Sequence, residues 1–176
     1  MKSMIKITNE LYYRLVEKED LPDRAKWIND PDINETLTFD TPVSLASTEA
    51  WFAKTVLDQS KCNLAFFVRN GDSFVAIGFG GFLNIDTKAR KAELYITIGN
   101  KSFQGKGLGK RLVQFLMHFG FNDLDLQKIY LSTLEHNLKA YSLYDSCGFE
   151  EEGRLKKHVL HKGKLKGLIY MAAFRK

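Results

Sequence analysis

The chain has 176 residues, 44% of them hydrophobic, enough for one domain, residues 1–176, with a full core. No run approaches the roughly 18 apolar residues of a membrane span, and the opening MKSMIKITNELYYR lacks an apolar signal core, so neither a membrane nor an export role is expected. Two distant cysteines, Cys62 and Cys147, in no metal spacing, fit a reduced, cytoplasmic protein.

The formal net charge of +5 is unevenly placed: residues 154–176 hold eight Lys or Arg and no Asp or Glu. The run reads as a solvated face or as an attraction for an acidic ligand. No helix-turn-helix, zinc or RNA-recognition signature accompanies it, so nucleic acid is not the expected partner.

In chain order, residues 11–16 alternate weakly and predict a first strand. Asp20 offers a helix N-cap, with Pro22 in the first turn of a helix through residues 24–28 that stops at Asn29-Asp30-Pro31. Residues 30–42 are polar and read as irregular. Ser44 or Ser47 caps a second helix carrying Trp51, Phe52, Thr55 and Val56. Trp27 and Trp51 read first as core anchors. The two helices and their loop are a candidate pocket wall, with Trp27, Asp30 and Glu35 on the substrate side.

A run of strands follows. Residues 64–69 pair through an Asn70-Gly71-Asp72 turn with residues 74–85, a strand interrupted by Gly78, Gly80 and Gly81, where a bulge or a close backbone approach is expected. Residues 86–90 turn the chain into Lys91–Ile98 (KAELYITI). Next comes Gln104-Gly105-Lys106-Gly107-Leu108-Gly109, and then Leu108, Leu112, Phe115, Leu116 and Phe119 recur at helical spacing. Glycines where a strand becomes a helix leave backbone N–H groups bare at the positive end of the helix dipole, a cradle for phosphate, and Lys106 and Lys110 add charge. The glycine spacing fits neither the dinucleotide fingerprint nor the nucleoside-triphosphate loop.

Residues 128–134 (KIYLSTL) read as another strand. His136-Asn137 leads into a helix with Ala140, Leu143, Tyr144 and Cys147 on one face, ended by Gly148. Strands at 156–161 and 165–174 close the chain through Lys162-Gly163-Lys164, and the apolar face of Ile169, Met171 and Ala173 suits either the core or a homodimer. The expected class is α+β, a mixed, mostly antiparallel twisted sheet of about seven strands flanked by about four helices.

Two motifs resemble one family. Gln104, Gly107 and Gly109, as Q-x-x-G-x-G, resemble the acetyl-CoA pyrophosphate loop of the GNAT superfamily of N-acetyltransferases. Asn137, Ala140, Leu143, Tyr144, Gly148 and Phe149 resemble its second signature, N-x-x-A-x-x-L-Y-x-x-x-G-F, one helix and one strand further on. The segments at Trp27-Ile28-Asn29-Asp30-Pro31 and Glu150-Glu151-Glu152-Gly153-Arg154 are similar to the subgroup that acetylates ribosomal-protein N-termini, spermidine and amino sugars. The resemblance runs over residues 11–174.

It implies an N-acetyltransferase with acetyl-CoA as cosubstrate, no metal, and a small-molecule or peptide amine as acceptor. The backbone of Gln104, Gly105, Lys106, Gly107, Leu108 and Gly109, with Lys110, would hold the pyrophosphate. Ile96, Thr97 and Ile98 would offer a strand edge to the pantetheine arm, with an N–H near Thr97 on the thioester carbonyl, and Asn137 would contact the arm. Tyr144 would protonate the leaving thiolate, against the plainer reading of a core aromatic. Glu93 would be the base, against that of a strand carboxylate paired with a lysine. The carboxylates Asp30, Asp32, Glu35 and Asp40 suggest a polyamine, while an amino sugar or an N-terminal peptide stays open. So does a non-catalytic acyl-CoA sensor. His118 reads as structural, His136 as a residue near the cleft, and His158 and His161, three apart, do not share a strand face.

Overall fold

The computed structural model describes residues 4–39 and 41–176. Its elements are β1 Ile5–Lys6, β2 Leu11–Leu15, α1 Leu21–Asn29, α2 Pro31–Asn34, α3 Leu45–Thr55, β3 Cys62–Asn70, β4 Ser73–Asp86, β5 Lys91–Ile98, α4 Leu108–His118, β6 Lys128–Leu134, α5 Leu138–Asp145, β7 Glu150–His161 and β8 Lys164–Phe174. The strands form one sheet in the order β1-β2-β3-β4-β5-β6-β8-β7. Every pairing is antiparallel except β5–β6. That pair is parallel because α4 carries the chain back across the sheet between them. Among the described residues no helix is long and apolar enough to cross a membrane.

Alternation along the strands divides the core between the two faces. Phe66, Ile77, Phe82, Leu94 and Ile129 pack under α4 with Leu112 and Leu116. Phe67 and Phe79 pack on the other face with Leu21, Trp27 and Ile33 of α1 and α2. Ile169, Met171 and Ala173 are 2%, 0% and 3% exposed, so the apolar face of the closing hairpin is filled by the chain's own core.

Among the described residues the sheet has eight strands, and the additions to the expected scheme have local causes. Residues 30–42, expected to be irregular, begin with α2, because the Asp30 carboxylate accepts from the Asp32 and Ile33 N–H groups while Pro31 takes the first helical position. β7 starts at Glu150, ahead of the expected residue 156. Register shifts at Glu151/Gly153 and Leu155/Val159 break its alternation and hide the strand from a period-two reading.

Asp20 does not cap α1. Its carboxylate binds Arg14 at 2.6 and 2.9 Å and accepts from the Glu17 N–H at 2.8 Å. The Arg14 and Asp20 side chains are only 8% and 6% exposed, and a buried guanidinium demands its counter-charge more strongly than an exposed helix N–H demands a cap. Of the two serines expected to cap α3, Ser44 takes the cap position, reciprocally with Ser47.

Candidate active site

β5 and β6 are eight and seven residues long, yet they pair at only three rungs: Lys91 with Lys128, Ala92 with Ile129, and Glu93 with Tyr130. Beyond Glu93 each strand follows its other neighbour. β5 stays in register with β4 to Ile98, and β6 with β8 to Leu134, so a cleft opens between their C-terminal halves.

The ladder decides which backbone groups face that cleft. The Gly99 N–H donates to the Ile77 carbonyl at 3.0 Å, which places the odd-numbered residues of β5 in hydrogen-bonded pairs with β4. The Arg90 carbonyl, at an even position, accepts from Gln127 and Lys128 on the β6 side. The backbone groups of Leu94, Ile96 and Ile98 therefore line the opening. This corrects the expectation at Thr97, whose N–H is turned to β4 opposite Phe79. The donors available to a thioester arm are those of Ile96 and Ile98. The Ile98 carbonyl is already taken by the Gln104 side-chain amide at 2.8 Å, which fixes the start of the glycine loop.

Gly105 and Gly107 have φ values of 72° and 74°. A side chain would meet nothing within 4 Å at either, so glycine is required by conformation and the backbone is left open. The first helical bond of α4 runs from the Arg111 N–H to the Gly107 carbonyl, which leaves the N–H groups of Leu108, Gly109 and Lys110 ahead of it, and among the described residues no side chain caps the helix. Lys106 and Lys110 are exposed beside the loop. Bare N–H groups, a helix dipole and two ammonium groups fit a pyrophosphate, and the open strand edge fits an amide-bearing arm. Asn137 spends its side-chain oxygen on the Ala140 N–H at 3.2 Å, as the cap of α5.

Tyr144, on α5, is 8% exposed and packs its ring on Phe149. Among the described residues its hydroxyl has no hydrogen-bond partner. Burial pushes its pKa up to about 12, with Cys147 adding to the shift. Tyr141, three residues before Tyr144 on α5, leans instead toward Arg154 on β7, whose guanidinium lies 6.0 Å from the ring centre.

Among the described residues Glu93 has no lysine partner. Its carboxylate accepts from the Asn84 side chain at 2.9 Å. Asn84 sits at φ 51°, within the irregular stretch of β4 between Leu83 and Asp86, and this irregularity aims the amide at the carboxylate. Nothing in the local sequence marks Asn84 as a neighbour of Glu93.

Trp27 is 8% exposed, with its ring centre 5.2 Å from that of Phe79. A side chain at Gly99 would come within 1.9 Å of the Trp27 ring, so the indole braces the end of β5. Asp30 caps α2 and also binds Lys101 at 2.8 Å, and Asp32 binds the same ammonium at 2.6 Å. The Lys101 hydrogen bond holds the Asp30 carboxyl below its ordinary range. Glu35 pairs with Lys162 and lies 3.8 Å from His136 and 3.9 Å from His161. The segment from Asp30 to Glu35 thus touches the β5 side of the cleft through Lys101 and the β6 side through His136. Asp40 lies outside the described residues.

This cleft and loop define a class. Residues 10–150 match the acetyltransferase (GNAT) domain family, and the chain belongs to it. It is 31% identical over 166 residues to the spermidine N(1)-acetyltransferase of Escherichia coli K12, covering 92% of this chain and 84% of that one. It is 30% identical over 148 residues to an aminoglycoside N(6')-acetyltransferase type 1 of Klebsiella pneumoniae, covering 80% and 74%. The crystal structure of spermidine N-acetyltransferase from Vibrio cholerae in complex with CoA and spermine superposes with a TM-score of 0.87 at 28% identity, covering 95% of this chain and 96% of that one. The protein is an N-acetyltransferase that moves an acetyl group from acetyl-CoA to an amine.

Proposed function

We propose that the acceptor is a polyamine, that Glu93 takes up the proton its ammonium must shed, and that Tyr144 protonates the departing thiolate. The observation that carries the acceptor is Lys101, whose ammonium lies between Asp30 at 2.8 Å and Asp32 at 2.6 Å beside the cleft. Two carboxylates converging on one ammonium are what a polycation needs, and an incoming ammonium replaces the exposed lysine with no change in charge. The similarity to spermidine acetyltransferases extends over the acceptor side of the chain as well as the glycine loop, which supports the same reading.

Bound acetyl-CoA supplies the acetyl group as a thioester. The chain's own residues supply the rest. An alkyl ammonium near pKa ~10 is protonated at neutral pH and cannot attack until it loses a proton. Glu93, at the closed end of the cleft, receives that proton directly or through a water, and its hydrogen bond from Asn84 holds it in place. The cleft-facing N–H groups of Ile96 and Ile98 are the donors for negative charge on the carbonyl oxygen. A phenol is protonated across the neutral range, and burial keeps that of Tyr144 so, which leaves the donor loaded when the carbon–sulfur bond breaks; positioning beside the thiolate supplies the rest.

The test is acetyl-CoA-dependent thiol release with spermidine, spermine, kanamycin and an N-terminal peptide as acceptors. Spermidine or spermine is expected to give the highest kcat/KM. Asp30→Asn, which preserves a good helix cap, and Asp32→Asn are each expected to raise the polyamine KM about tenfold through loss of a carboxylate–ammonium pair, leaving the acetyl-CoA KM unchanged. A preference for the peptide or for kanamycin, or polyamine KM values untouched by both substitutions, would overturn the acceptor.

A further inference from the structure

We propose that Glu35, His136 and His161 form a binding site for a divalent transition-metal ion of the zinc class, which fastens the end of α2 to the hairpin and to the start of α5. The reaction described above does not use it, and the proposal stands whichever amine is the acceptor.

The three side chains come from three separate parts of the fold. Glu35 follows α2, His136 lies in the turn between β6 and α5, and His161 ends β7. Their ligating atoms lie within 4.8 Å of one another. The Glu35 Oε1 atom is 3.8 Å from Nε2 of His136 and 3.9 Å from Nε2 of His161. A tetrahedral ion with bonds of about 2.0–2.2 Å holds its donors about 3.3 Å apart, so small rotations of exposed side chains complete the triangle.

A second observation points to a ligand. His161 is 6% exposed, and its Nε2 atom is buried, with no hydrogen-bond partner among the described residues, while aimed at Glu35 and His136. Buried polar atoms are rarely left unsatisfied, and an ion would satisfy this one. His136 and Glu35 stand at the exposed rim, which gives an ion a route in and leaves room for water as a further ligand. His161 also lines a groove of about 200 Å³ between the segment after α2 and the hairpin tip.

Two imidazoles and one carboxylate select zinc, cobalt or nickel over magnesium or calcium, which prefer oxygen-only sites. Lys162 binds the other oxygen of Glu35, Oε2, and leaves Oε1 to the histidines. Its ammonium is a competing charge on an exposed side chain. Replacing it should therefore strengthen metal binding, an outcome that a purely structural ion pair does not predict.

The test is titration of EDTA-treated, full-length protein with Co²⁺, read by its visible d–d absorption, followed by displacement with Zn²⁺. One ion per chain is expected, in a tetrahedral spectrum without the near-ultraviolet thiolate band that Cys62 or Cys147 would produce, and Mg²⁺ should not displace it. His136→Gln and His161→Gln should each weaken binding on the order of a hundredfold, and Lys162→Met should tighten it about tenfold. His136 is exposed, so its variant tests the site without disturbing the core. Absence of stoichiometric Co²⁺ binding, a thiolate spectrum, or an affinity that ignores His136→Gln would overturn the proposal.

Discussion

Glu93 and Tyr130 form the last rung of the parallel ladder between β5 and β6, and the Tyr130 phenol is raised by burial and by the Glu93 charge beside it. The rung is where backbone pairing stops and the cleft begins. A carboxylate is thus fixed at the closed end of an opening whose other end is the glycine loop.

If Glu93 accepts the substrate proton, Glu93→Gln should cut kcat/KM about a hundredfold near pH 7. The deficit should narrow toward pH 10, where the free amine no longer needs a base. A pH–rate profile of the variant beside the parent checks this, and a deficit constant with pH would move the base elsewhere.

Tyr144→Phe keeps the packing on Phe149 and removes only the hydroxyl. We expect kcat to fall about a hundredfold while the affinity for acetyl-CoA, measured by calorimetry, stays unchanged. Loss of cofactor affinity without loss of kcat would make Tyr144 a packing residue.

Gly107 sits at φ 74°, where a side chain costs about 1–2 kcal/mol. Gly107→Ala has open space for its methyl group but not the conformation, so the cradle should distort locally. Coenzyme A should bind about tenfold more weakly, with the unfolding midpoint lowered by a few degrees.

Alkaline pH should destabilise the fold. Burial raises the Cys62 thiol from 9.0 to about 11 and the Tyr144 phenol from 10.0 to about 12. The unfolded chain releases these protons first. The stability they contribute is therefore complete below pH 9, and it is lost as pH rises through 9–12. Unfolding midpoints across that range should fall, and Cys62→Ala should flatten the slope between pH 9 and 11.

Asp20→Asn leaves the Arg14 guanidinium buried without its full counter-charge. It should cost about 3 kcal/mol in urea unfolding, and the activity of the folded fraction should be unchanged, because the pair lies outside the cleft residues.

What the sequence by itself determined rests on local physics. Periodicity placed β5 and β6 at their observed bounds, glycine spacing marked the loop, a serine cap at Ser44 or Ser47 marked the start of α3, and the two motifs led to Tyr144 and to the acetyl-CoA chemistry. The strands, the loop and the cap are decided by backbone preferences within a few residues, whereas Tyr144 and the acetyl-CoA chemistry were implied by the resemblance of the two motifs to one family. The tertiary structure alone decided the rest. Whether Ile96 or Thr97 turns its N–H to the cleft depends on the pairing of β5 with β4. The partner of Glu93 is Asn84 because β4 is irregular there, and Asp20 serves Arg14 because both are buried. Glu35, His136 and His161 meet only where three remote segments pack together. Register, burial and counter-charge are set between segments far apart in the chain, where no local window holds both partners.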